Sequence, residues 1–118
     1  MSWRLFAFSF AFLALAASRA FAHASLLEAS PEPGSVVSAN AVTIELRFDS
    51  RLDPRFSRLT LARPDGDETP LTLETGDARS VLKARATDLG EGNYVLHWRV
   101  LGVDGHANQG DIKFRVGW

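Results

Sequence analysis

The residues best suited to chemistry in this chain are its three histidines, His23, His97 and His106, together with Asp104. His23 follows directly on Ala20-Phe21-Ala22, a small-x-small pattern of the kind signal peptidase cleaves. Cleavage after Ala22 would make His23 the first residue and give it a free α-amine. That amine and Nδ1 of the same residue close a six-membered chelate ring with a metal ion. A free amine titrates near about 7.7–8.0 and an imidazole near about 6.5, so a competitive divalent ion displaces protons from both near neutrality. Asp104-Gly105-His106 sets a carboxylate and an imidazole either side of a glycine, which permits a turn tight enough for both to face one point. With His23 this makes three nitrogens and one oxygen, a four-coordinate set that suits Cu(II). Each half also has a plainer reading. His23 could be whatever residue happens to follow the cleavage site, and Asp-Gly is an ordinary hairpin dipeptide that leaves His106 solvated. His97 sits between apolar Leu96 and Trp98 and should face outward from a strand, a surface position rather than a ligand.

The cleavage pattern is credible because the whole leader is in order. Arg4 supplies positive charge, Leu5 to Ala17 is apolar except for Ser9, and the small-residue site follows. Thirteen residues are too few to span a bilayer as an anchor. Residues 1–22 therefore read as a cleaved signal peptide and 23–118 as one exported domain, with no membrane insertion after cleavage. Export takes Arg4 and Arg19 away, leaving 11 basic and 14 acidic residues and a net charge of −3. That balance gives no support for nucleic-acid binding or for a polybasic lipid surface. There is no cysteine, and the single methionine is Met1. The exported chain has neither thiolate nor thioether to offer a metal. No phosphate-binding glycine loop, zinc signature or catalytic spacing of Ser, His and carboxylates appears.

The elements that must position these groups are strands. Val42, Ile44, Leu46 and Phe48 alternate with polar residues. So do Tyr94, Leu96, Trp98 and Val100, and then Ile112, Phe114 and Val116. Weaker strand signals lie over 24–29, 57–62, 71–74 and 81–86. Turn residues at Pro31-Glu32-Pro33-Gly34, Pro64-Asp65-Gly66-Asp67, Gly76-Asp77, Gly90-Glu91-Gly92 and Asp104-Gly105 separate them. About seven short strands so punctuated predict an all-β sandwich or Greek-key barrel. Outward Glu45, Arg47, Lys113 and Arg115 read as a solvated sheet face with cross-strand charge pairing.

Taken together, these residues resemble the CopC family of periplasmic copper-binding proteins. The resemblance runs from His23-Ala24 through Ser30-Pro31, Gly34 and Ile44-Glu45-Leu46-Arg47-Phe48. It is most specific at Gly92-Asn93-Tyr94, Trp98-Arg99-Val100, Asp104-Gly105-His106, Gly110 and Phe114. It implies a cupredoxin-like or immunoglobulin-like Greek-key β-barrel and one Cu(II) held by His23, Asp104 and His106. It also implies copper sequestration, resistance or delivery in the periplasm, without catalysis, often beside an inner-membrane CopD-type partner. Two features depart from the family pattern. No methionine-rich Cu(I) site can exist here. A glutamate that some members place after an early Phe-Ser pair is missing from Phe48-Asp49-Ser50-Arg51, unless Asp49 substitutes for it. Two other classes remain open at this stage: a copper-dependent oxygenase with a histidine-brace site, and a metal-free adhesion sandwich.

Overall fold

The computed structural model describes residues 24–74 and 79–118. The signal peptide, His23 and the Gly76-Asp77 turn lie outside the described residues. Eight strands follow one another: β1 (Leu26–Ser30), β2 (Val36–Val37), β3 (Val42–Phe48), β4 (Arg58–Ala62), β5 (Glu68–Leu71), β6 (Val81–Ala86), β7 (Gly92–Leu101) and β8 (Ala107–Val116). A single 3₁₀ turn, Pro54–Phe56, joins β3 to β4. Among the described residues no helix is long and apolar enough to cross a membrane.

The strands form two sheets, one in the order β1-β3-β6 and the other β2-β8-β7-β4-β5. The result is a sandwich rather than a closed barrel. On one side the sheets come together through a bridge between Leu73 and Ala84 and the bond from Glu74 N to Lys83 O. On the other side, β1 and β2 end their respective sheets without pairing. The long period-two runs account for the core. Ile44, Leu46 and Phe48 of β3 face Leu96, Trp98 and Val100 of β7, all buried, while Glu45 and Arg47 point to water. Phe48 meets the Trp98 ring edge-on at 5.2 Å, and Tyr94 stacks on Phe114 at 5.4 Å, both favourable aromatic geometries. The Tyr94 hydroxyl is buried with its ring and donates to the Gly90 carbonyl at 2.8 Å, which satisfies it. Trp98 lies over Gly110, where a Cβ would fall 2.6 Å from the indole, so only glycine fits opposite this tryptophan.

Two expectations need correction, and one short strand was not anticipated. The strand placed at 71–74 lies instead at Glu68–Leu71. Pro70 hides it, because proline cannot donate to a ladder, and the fold tolerates it only because β5 is an edge strand. The two-residue β2, which pairs parallel to β8, left no alternation to read. Glu45 and Arg47 do not share a face with Lys113 and Arg115, since the two pairs lie on different sheets. Arg47 pairs with Glu28 on the first of those faces.

Candidate metal centre

The connection from β7 to β8 is Gly102-Val103-Asp104-Gly105-His106, and its backbone closes on itself. Gly102 N donates to the His106 carbonyl at 2.9 Å, and Gly105 N donates to the Gly102 carbonyl at 2.9 Å. Gly105 has φ +89°, a left-handed conformation that other residues adopt only with strain. One oxygen of Asp104, Oδ1, accepts from His106 N at 3.0 Å, the local side-chain-to-backbone bond that suits aspartate to turns. The other, Oδ2, lies 3.2 Å from Nδ1 of His106. A first-row divalent ion bound to imidazole nitrogen and carboxylate oxygen at about 2.0–2.2 Å places neighbouring donors about 2.8–3.6 Å apart. The spacing here therefore fits two ligands of one ion. Gly102 takes part as well: a Cβ at that position would lie 2.8 Å from Asp104 Oδ1. A bare backbone at 102 lets the carboxylate fold back over the turn.

The turn does not hang free. Leu52 and Gly102 form an antiparallel bridge, Val103 N donates to the Arg51 carbonyl at 3.1 Å, and Asp53 N donates to the Leu101 carbonyl at 2.8 Å. The Arg51–Asp53 stretch is itself pinned by the 3₁₀ turn. Asp53 caps that turn and binds Arg55, whose side-chain hydrogen bonds hold the Asp53 carboxyl below the usual carboxylate range. Asp49, just upstream, is engaged with the N-terminal stretch through one carboxylate oxygen. Its Oδ1 accepts from Ser25 N at 2.8 Å and from the Ser50 hydroxyl at 3.2 Å.

The structure thus brings Asp104 and His106 together. His23 lies outside the described residues, but the residue bonded to it, Ala24, is fully buried, and its carbonyl accepts from Nδ2 of Asn108 at 2.8 Å. Asn108 stands two positions after His106. Among the described residues no group of three or more metal-ligating side chains occurs, so the turn supplies two donors and a complete site needs more from elsewhere. His97 takes no part. It sits on the outer face of the five-stranded sheet, with Nδ1 2.6 Å from Asp111 Oδ1, in a shallow groove with Arg58 and Arg99. Gly102 and Asn108 are the contributors that sequence reasoning missed. Gly102 had a signal in its spacing from Asp104; Asn108 had none.

Comparison with known proteins decides the family. The CopC domain model matches residues 26–117, nearly all of the described chain. The chain belongs to the CopC family. A CopC-family relative, copper resistance protein C of Xanthomonas campestris pv. juglandis, is 37% identical over 110 residues, covering 86% of each chain. The crystal structure of CopC from Methylosinus trichosporium OB3b superposes with a TM-score of 0.70 at 31% identity, over 80% of this chain and 93% of that one. PcoC, a methionine-rich copper resistance protein from Escherichia coli, superposes with a TM-score of 0.63 at 26% identity, over 81% of this chain and all of that one. The CopC fold is shared with PcoC, but its methionine richness is not: Met1 is the only methionine here.

Proposed function

We propose that the protein is exported to the periplasm, cleaved after Ala22, and binds one Cu(II) ion as cargo. In this reading the α-amine and imidazole of His23, the Asp104 carboxylate and the His106 imidazole are the donors. The observation that carries it is the 3.2 Å convergence of Asp104 and His106 in a turn beside the buried residue that follows His23. Membership of a family whose relatives are copper resistance proteins supports the choice of metal. Three nitrogens and a carboxylate favour Cu(II) over the soft Cu(I), which prefers sulfur. The role is sequestration, resistance or delivery of copper, with an inner-membrane CopD-type protein as recipient, and no catalysis. Asp104 fills a position that an oxygen-activating copper enzyme would leave open, which argues against the oxygenase alternative.

The test is a competitive Cu(II) titration of the processed protein against a form retaining one residue before His23. The extended form should bind on the order of 1,000-fold more weakly, equivalent to about 4 kcal/mol, because its terminal amine is converted to an amide. Equal affinities would remove the chelate from the account.

A further inference from the structure

A chain terminus is the part of a domain most prone to fray, and a ligand placed there needs something to hold it. In this protein the ladder that could do so starts late: the first pair between β1 and β3 is Leu26 with Phe48. The two residues before it are held largely by side chains. Asn108 Nδ2 donates to the Ala24 carbonyl at 2.8 Å, and Ser25 N donates to Asp49 Oδ1 at 2.8 Å. Asp49 N returns a bond to the Ser25 carbonyl at 3.0 Å.

Asn108 is an odd residue for its place. It pairs with Val100, and its strand neighbours on the inward row are Gly110 and Ile112. A partly buried amide on an apolar row costs free energy unless both ends are bonded. Both ends are: Oδ1 accepts from Gln109 N at 2.9 Å while Nδ2 reaches Ala24. The first bond fixes which way the amide points, so a donor always faces the Ala24 carbonyl. The reach is long in sequence, 84 residues.

We propose that Asn108 is a positioning residue for copper: it fastens the N-terminal segment to the hairpin that carries Asp104 and His106, with Asp49 as a second fastening from the opposite sheet. Terminal and loop donors then belong to one rigid unit. Ordering the terminus before the metal arrives removes that cost from binding, so the clamp raises affinity and lengthens the residence of the ion. This role rests on the copper reading above.

The test uses the processed protein with Asn108→Leu, which keeps the side chain's shape and removes the donor, and with Asp49→Ala. Affinity for Cu(II), the rate of copper transfer to a chelator, the electron paramagnetic resonance spectrum at saturating Cu(II), and the melting temperature of the metal-free protein are measured together. The Asn108→Leu form should bind about 10–100-fold more weakly and release faster. Its spectrum should be unchanged, because the donor set is the same, while its melting temperature falls modestly, since the buried Ala24 carbonyl loses its partner. Asp49→Ala should act in the same direction. Ser25 amide hydrogen exchange should quicken in both. Unchanged affinity and release in both variants, with the wild type binding Cu(II) through His23, would overturn the positioning role alone. Failure of the wild type to bind Cu(II) would overturn the copper reading and the role with it, before any variant is made.

Discussion

Among the described residues there are two histidine–aspartate pairs, and they are built differently. His97 and Asp111 face each other across the β7–β8 ladder at 2.6 Å, in a shallow groove of a sheet face open to solvent. Asp104 and His106 are two residues apart in a turn, at 3.2 Å. By residue type and distance alone the first pair is the tighter. Its surroundings disqualify it. The neighbouring row of the same face sets Arg58 directly opposite Arg99, and two guanidiniums repel a divalent cation. Among the described residues the groove is lined by β4, β7 and β8 alone. The turn, by contrast, is met by the stretch that leads back to the N-terminus. A metal site needs donors that converge from separate parts of the chain. A pair in register on one sheet face meets only its own neighbours.

The largest effect expected from breaking this contrast is at the turn. His106→Ala and Asp104→Ala should each lower Cu(II) affinity by more than about 100-fold, beyond the range typical of groups that merely support a ligand. Competition with a chromophoric chelator measures both. Next in size is the oxidation state. With no sulfur donor in the exported chain, reduction should loosen the ion, so affinity for Cu(I) should fall well below that of a thioether site, and hydrogen peroxide production with ascorbate should stay low. Tight Cu(I) retention or oxygenase-like turnover would place the protein in another class.

A sharper probe is Gly102→Ala. Its Cβ must displace Asp104 Oδ1, so Cu(II) affinity should fall about 10-fold while the His97–Asp111 pair is untouched. Nuclear magnetic resonance shifts confined to residues 101–107 would locate the change. The smallest effect is expected from His97→Ala or Asp111→Ala. Both side chains are substantially exposed, so losing the pair should cost only about 0.2–1 kcal/mol of stability by denaturant titration, and nothing in copper affinity.

Much of this was legible in the sequence, for identifiable reasons. The alternation in 42–48, 94–100 and 112–116 marked the strands that form the core, because one buried face imposes period two. The outward placement of His97 followed from its neighbours Leu96 and Trp98. The closeness of Asp104 and His106 was visible because they lie two residues apart around a glycine. Family resemblance then supplied an expectation that local spacing could not, that this turn and His23 serve one site. What stayed hidden depends on long-range contact. Asn108 looks like any polar residue at the start of a strand until Ala24 is seen beside it. The bond from Ser25 N to Asp49 was hidden for the same reason, since the two residues are 24 apart in sequence. The open sandwich, in place of a barrel, depends on how edges β1 and β2 end, which no local pattern records.

The most direct test of which pair holds the metal is amide-resolved paramagnetic broadening of the processed protein with sub-stoichiometric Cu(II). His106, just before β8, and Asp111 within it are five residues apart, about 17 Å at strand spacing, far enough for the two locations to be told apart. Signals of Ala24, Ser25 and Gly102 to Asn108 should vanish first, while those of Thr60, His97 and Asp111 persist. Early loss around His97 and Asp111 with the turn intact would contradict the account.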